Sequence, residues 1–403
     1  MRSSGRFSLS LIMAVIIGLA LAGHAKAADG LAVDVTYLKK EVERLAPLSL
    51  LDPIEIPDEG MAGAELGLAD NATTGGFLGH DYALSEVRVP VDGDPVATAK
   101  ETLTAGASLL ILDVPADDLL AIADLPEAEE AILFNVGAED DRLRTEECRA
   151  NIFHIIPSRA MKADALAQFL AWKRWRHWFL IHGTAEADLL MKAALERAAV
   201  KFGAEIVETR AYEYEATARR TDTGHVQVQT QLPVFTQDAE EHDVIVTADE
   251  SDVFGEYLSY RTWDPAPVTG THGLRPTAWH RSHEAWGGTQ MQGRFEDNAG
   301  RWMTEKDYVA WLAMRSLGEA VTRTSSADSA ALRDYLRGED FEVAAFKGEA
   351  LTFRTWNQQM RQPVLLVSPR MLVSVSPQDE FLHQRTPLDT LGFDQPESQC
   401  SLD

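Results

Sequence analysis

Between Tyr257 and Arg294 the chain gathers side chains able to hold a small molecule: Trp263, Trp279 and Trp286; His272, His280 and His283; and Arg261, Arg275, Arg281 and Arg294. Tryptophan offers a flat apolar face and guanidinium a planar fork of donors, so together they suit a flat or carboxylate-bearing ligand. The plain alternative is that each tryptophan fills core or interlobe space. His280 and His283 are three apart, which raises a metal site, but no third histidine or acid cluster follows at compact spacing. Pro265, Pro267 and Pro276 rule out one long helix, so much of the interval is expected to be loop.

No nucleophile constellation accompanies these residues. The chain has no G-x-S-x-G, no H-E-x-x-H, no glycine-rich phosphate loop and no close cysteine pair. Gly75, Gly76 and Gly79 have the wrong spacing for a dinucleotide turn and follow a helical pattern rather than a strand. Reversible binding rather than catalysis is the expectation, and a periplasmic hydrolase is the remote alternative.

The elements that must position these groups are legible from periodicity. Leu31 to Leu38, Tyr82 to Val91, Leu109 to Val114 and Ala131 to Val136 read as strands. Helical patterns separate them: Glu59 to Asn71, weakened by Gly63 and Gly67; a start at Asp94-Pro95 running to about Ala105; and Pro115 to Ala123. After Ile155-Ile156-Pro157 the pattern begins again. Ser158 can cap a helix whose Ala163, Leu166, Ala167 and Leu170 share one stripe, and Trp178 to Ile181 follows as a buried strand. A helix over Ala187 to Phe202, a strand around Glu205 to Tyr212, a weak alternation from His225 to Gln231 and a strand from Val244 to Ala248 come next. Thr304 and Asp307 form a capping box for a helix through about Glu319, and a second helix spans Ser329 to Leu336. Phe341 to Phe346, Leu351 to Trp356, Val364 to Val367 and Met371 to Val375 are short strands.

Repeated units of this kind imply an α/β protein with two mostly parallel sheets and a cleft between two lobes. The chain is expected to cross between lobes near Pro157, near Trp279 and near Phe341 to Lys347. Loops at the C-terminal ends of parallel strands are where such sheets take ligands. This places Tyr37, Asp113, Asn135, Arg142 and Arg159 on one side, and His182, Glu213 and Asp249 on the other. Of all these groups, Trp279, Trp286 and Arg281, faced by Arg159 and Arg142, are the first choice for the ligand wall.

Arg2 and Arg6, an apolar run from Leu9 to Ala22 and the small-x-small Ala25-Lys26-Ala27 read as a signal peptide over 1–27, too short to be an anchor. The expected location is the periplasm or exterior, with no stable membrane insertion. The formal charge is −26, becoming about −29 once Arg2, Arg6 and Lys26 are removed, which argues against binding nucleic acid through phosphates. Cys148 and Cys400 are the two cysteines: an oxidising compartment allows one disulfide holding the C-terminal tail to the first lobe, and two unpaired thiols are the alternative.

The chain resembles the type I periplasmic substrate-binding proteins of the branched-chain amino acid ABC-transporter class. The element order, the crossover at Ile156-Pro157-Ser158 and the strand Trp178 to Ile181 carry the likeness. It also looks like the branch associated with alcohol dehydrogenase systems dependent on pyrroloquinoline quinone (PQQ), through Ala107 to Val114, Ile132 to Gly137, Trp172 to Gly183 and Ala278 to Gly293. The resemblance implies two Rossmann-like lobes joined by three crossovers. The N-terminal lobe would hold 28–157 and about 280–341, the C-terminal lobe 158–279 and about 342–385, with 386–403 as a tail. It implies a monomer that closes on a ligand and delivers it to an ABC permease. The narrower branch implies PQQ, or a related aromatic carboxylate, as that ligand, with no catalytic cofactor and no metal. The alternatives are an amino acid or small organic acid for ABC import, or an accessory protein docking to a periplasmic dehydrogenase. Amino-acid binders of the general family use Ser/Thr-rich loop ends for the ligand carboxylate. Asp113-Val114-Pro115 and Asn135-Val136-Gly137 depart from that pattern and argue against ordinary leucine or valine.

Overall fold

The computed structural model describes residues 30–43, 56–214 and 228–402. The signal-peptide reading and most of the proline-rich stretch before Pro57 lie outside the described residues.

The first lobe is built from β1 (Leu31–Lys40), α1 (Met61–Leu78), β2 (His80–Val89), α2 (Pro95–Thr104), β3 (Leu109–Asp113), α3 (Ala116–Ala123), β4 (Ile132–Asn135) and β5 (Ile152–His154). The strands form one parallel sheet in the order β2-β1-β3-β4-β5. Every residue of β3 and β4 is buried, as expected of central strands covered on both faces. Local chemistry starts the helices where the sequence reading places them. Asp94 Oδ1 accepts from the amides of Val96 (2.9 Å) and Ala97 (3.1 Å), with Pro95 next, where no donor is needed.

The second lobe holds α4 (Arg159–Lys173), β6 (His177–His182), α5 (Glu186–Phe202), β7 (Glu205–Ala211), α6 (Val228–Phe235), β8 (Val244–Ala248), α7 (Gly255–Arg261), β9 (Val268–Gly270) and β10 (Arg275–Thr277). Its parallel sheet runs β7-β6-β8-β9. The chain then returns to the first lobe with α8 (Gly288–Ala299), α9 (Glu305–Thr324) and α10 (Ser329–Arg337). A small antiparallel sheet follows, made of β11 (Val343–Ala344), β12 (Ala350–Phe353) and β13 (Met360–Arg361). Finally β14 (Val364–Ser368) and β15 (Met371–Ser376) join β10 in a second antiparallel sheet.

Three expectations are corrected. The weak alternation from His225 to Gln231, open to an edge strand or an amphipathic loop, lies outside the described residues up to 227, and residues 228–231 are helix, with Val228 and Leu232, four apart, both buried. The Trp/His/Arg interval is less irregular than its prolines suggest, since α7 lies at its start and α8 at its end. The third crossover lies at 361–363 rather than 341–347. Phe341, Val343, Leu351, Phe353 and Met360 share a core with β1, β3 and β4, whereas Val364 and Leu366 pack with α4, α5 and β6. Short apolar strands do not themselves encode which lobe they cover.

The glycines that weaken α1 as an isolated helix have a packing role. A Cβ on Gly63 would lie 1.8 Å from the carbonyl oxygen of Asp307, and one on Gly67 would lie 2.6 Å from Met314 Cβ. Their bare backbone lets α1 and α9 approach closely enough for Gly60 N–H to donate to Asp307 Oδ1 at 2.8 Å.

The tail spans the join on the other side. Asp389, fully buried, accepts from Arg354 Nε and Arg361 Nε, both at 2.9 Å. Gly392 N–H donates to Asp164 Oδ2 on α4 at 2.8 Å, and its carbonyl accepts from Arg197 and Lys201 on α5. Cys400 is disulfide-bonded to Cys148 in the first lobe.

Gly63→Ala is expected to destabilise the protein by about 1–3 kcal/mol, because the backbone carbonyl opposite cannot rotate away as a side chain would. Chemical denaturation checks this; an unchanged midpoint would show that α1 and α9 can separate at no cost.

Candidate functional site

The first turn of α4 is the centre of the site. Ser158 Oγ accepts from Met161 N–H (3.3 Å), Asp141 Oδ1 accepts from Ala160 N–H (3.0 Å), and the carbonyl of Glu139 accepts from Arg159 N–H (3.0 Å). The loop after β4 in one lobe thus caps a helix of the other. Arg159 faces Glu250 through Nε (3.0 and 3.1 Å) and Nη2 (2.7 Å), and Asp140 through Nη1 (2.9 Å). Lys162, one turn on, donates to Glu139 Oε1 (2.7 Å) and to Glu305 Oε2 (3.0 Å) at the start of α9. Burial pulls both cations toward neutrality, but the surrounding carboxylates outweigh it and hold them above their ordinary ranges. Glu305 shows the converse: burial raises it, and Lys162 with the Ala278 amide lowers it further.

Against this turn, between the lobes, lies a cavity of about 700 Å³. The first lobe contributes Glu59, Glu139, Trp279, Arg281 and Glu305, and the second contributes Lys162, Asp249, Glu250, His272 and Arg275 among others. A larger cavity of about 780 Å³ lies beside α1, α8 and α9 on the first lobe. Within it, Asp70 accepts from Arg294 and, at 2.9 Å, from Trp311 Nε1, while Arg315 donates to Asn71. The interlobe cavity is the one bounded by both lobes, so it is the candidate site.

The expected site residues divide by position. Trp279, Arg281 and Asp249 line the interlobe cavity. Trp279 stacks on Tyr308 with centroids 4.8 Å apart, and Arg281 sits over Trp302 at 4.7 Å. Arg159 stands at the join but is engaged by Glu250 and Asp140. Asp249 is occupied too, accepting from the amides of Val253, Phe254 and Gly255 ahead of and at the start of α7. Tyr37 is fully buried, with its hydroxyl 3.5 Å from Asp113; burial, then Asp113, raises that hydroxyl well above its usual range. Asp113 also accepts from Lys306 at 2.6 Å. Asn135 spends its amide on Ala138 O, Gly137 N–H, Ala138 N–H and His154. His182 Nδ1 lies 2.7 Å from Gly183 O.

Two residues chosen for the wall stand elsewhere. Trp286, 68% exposed and at φ +56° ahead of α8, lays its ring against Gly348. Arg142 pairs with Asp117 and with Glu147 at 2.5 Å. Side-chain direction in an irregular turn has no periodicity to reveal it. His280 and His283 also diverge: His280 Nδ1 lies 2.7 Å from Ser282 Oγ, and His283 Nε2 lies 2.8 Å from Phe346 O. Among the described residues no group of three potential ligands gathers for a metal.

Glu139, Lys162, Glu250 and Glu305 were missed as site residues, and Arg275, gathered with the other arginines of its interval, lines the cavity as well. Lys162 had a usable signal, since it falls four before Leu166 and three after Arg159 on a helix read as buried along that stripe.

Residues 57–223 match the periplasmic binding protein family. Similar solved structures extend the likeness to nearly the whole chain. A branched-chain amino acid ABC transporter periplasmic ligand-binding protein from Burkholderia xenovorans is 16% identical with a TM-score of 0.69, covering 92% of this chain and 99% of that one. A leucine-, isoleucine-, valine-, threonine- and alanine-binding protein from Brucella ovis, in its closed conformation, is 14% identical with a TM-score of 0.69, covering 93% and 100%. An ABC-transporter solute-binding protein from R. palustris in complex with benzoate is 12% identical with a TM-score of 0.63, covering 92% and 100%. A comparison with curated proteins finds no match.

The fold is therefore the type I periplasmic-binding-protein fold, two α/β lobes joined by crossovers. The periplasmic location expected from the N-terminal segment agrees with these likenesses. The expectation of PQQ as ligand is overturned, and with it the alcohol-oxidation role. The similar structures are those of amino-acid and other ABC-transporter binding proteins, and a resemblance of phrasing over four short stretches does not outweigh them. Nothing supports the dehydrogenase as partner.

Behind Trp279 lies a buried amine. Lys347 is 5% exposed and donates to the carbonyls of Ala278 and Pro363, one at each of the second and third crossovers, with the Tyr308 ring 5.1 Å away. Burial lowers it to about 7, against a smaller upward pull from Glu305. A folded-state value below the unfolded one means that the unfolded chain binds more protons between about pH 7 and 10, so this group's penalty shrinks as pH rises through that window. Lys347→Met is expected to stabilise the fold most below pH 7, with the advantage fading toward pH 10. Denaturant midpoints at several pH values check this, and a pH-independent difference would refute it.

Proposed function

We propose that this protein reversibly binds a small organic acid or amino acid in the interlobe cavity and presents it in the periplasm to an ABC permease. The observation that carries this reading is the cavity of about 700 Å³ lined by both lobes beside the Lys162–Glu139 and Lys162–Glu305 bridges. A solute touching both walls binds the closed arrangement more tightly than an open one, which is the thermodynamic requirement for ligand-driven closure. The cavity size suits a metabolite rather than a peptide or polymer.

Isothermal titration with leucine, glutamate, glutarate and benzoate, paired with small-angle scattering, tests it. One-to-one saturation by at least one of these solutes, with a fall in the radius of gyration, is expected. Absence of saturable heat with all of them would overturn the reading.

A further inference from the structure

Resting on that reading, we infer that residues 386–400 form a strap across the lobes outside the cleft, and that the Cys148–Cys400 bridge at its end limits how far the cleft opens. The strap is gripped first from the first lobe. Arg354 follows β12, whose Phe353 packs in the first-lobe core, and is 1% exposed. Its guanidinium is spent on the tail: Nε donates to Asp389 Oδ1 (2.9 Å), Nη1 to Phe393 O (3.3 Å), and Nη2 to Leu388 O (3.1 Å) and Leu391 O (2.6 Å).

The second lobe holds the same turn from the other side. Leu391 is buried in the core of α4, α5 and β6. Thr390 Oγ1 accepts from Gln168 Nε2 on α4 at 2.8 Å, Gly392 N–H donates to Asp164 Oδ2 at 2.8 Å, and Gly392 O accepts from Arg197 Nη2 and Lys201 Nζ on α5, both at 2.9 Å. The Arg197 guanidinium also lies 4.0 Å from the centre of the Phe393 ring. The chain then returns to the first lobe, where Ser398 Oγ donates to Arg144 O at 3.0 Å and Cys400 is bonded to Cys148. One short segment is therefore held by the first lobe, by the second, and by the first again.

Hydrogen bonds exchange with water at modest net cost, so alone they would let the strap peel from one lobe as the cleft opens. The disulfide removes that escape. A strap fixed covalently at its end re-engages as an intramolecular event, at high effective concentration. Among the described residues it adds to the three crossovers a covalent path between the lobes that water cannot replace. An unliganded cleft confined to small openings has fewer arrangements to lose on closing, and a larger closure-competent fraction means tighter apparent binding.

The experiment measures the unliganded radius of gyration by small-angle scattering, and calorimetric affinity for leucine, glutamate, glutarate and benzoate. It compares the wild type with Cys148→Ser/Cys400→Ser and with wild type reduced by dithiothreitol. The reductant passes two electrons and two protons to the bridge, leaving two thiols and closing to its own cyclic disulfide. Both opened states are expected to keep the wild-type far-UV dichroism and to show a larger unliganded radius of gyration. Every solute that saturates the wild type should bind them about threefold or more weakly, by the same factor for each. A lowered thermal midpoint with radius and affinity unchanged overturns the inference and leaves the proposed function standing, because the bridge then only stabilises the fold. A loss confined to one solute overturns it too, since a strap outside the cavity touches none of them. If no solute saturates the wild type, the proposed function falls, while the radius of gyration still decides whether the bridge restrains the lobes.

Discussion

Two buried cations on one helical turn set the relation between the lobes. Arg159 and Lys162 belong to the second lobe, but Asp140, Glu139 and Glu305 belong to the first. An ammonium or guanidinium removed from water without a partner costs several kcal/mol, so such groups tolerate few arrangements. The N-terminus of α4 adds direction, because its amides are capped by the loop after β4. Separation of the lobes is possible only if water replaces these carboxylates. An interface of this kind opens into solvent at modest cost and closes in one register, as a reversible binding cleft requires.

That polar join is framed by stiff packing on both sides. In the first lobe, α1 and α9 meet through glycine backbone, carrying Glu305 and Lys306 on the first turn of α9 into place. Behind the crossovers, Arg354 and Asp389 form a pair with virtually no exposure, and the disulfide ties the tail to the loop that supplies Arg144. Arg144 in turn donates to Ala138 O, Asp140 O and Ile156 O, bracing the backbone from which Glu139 and Asp140 project. Positional precision at the cleft thus comes from fully satisfied groups outside it.

Much of this architecture is written locally. Asp94-Pro95, Ser158 and the Thr304/Asp307 box announce helix starts through short-range hydrogen bonds, and each is observed in that role. Leu109 to Asp113 and Trp178 to Ile181 announce buried parallel strands by continuous apolarity. What could not be read were relations decided at a distance. Asp249 looks like a ligand group at a strand end, yet its carboxylate caps the turn that follows. Gly63 looks like a helix fault until Asp307 is seen opposite it. Trp286 and Trp279 are seven apart and equivalent as residue types, but one covers a glycine at the surface and the other stacks in the core beside the cleft. The third crossover was misjudged for the same reason, since β11 and β12 gain their lobe only through the neighbours they pack against.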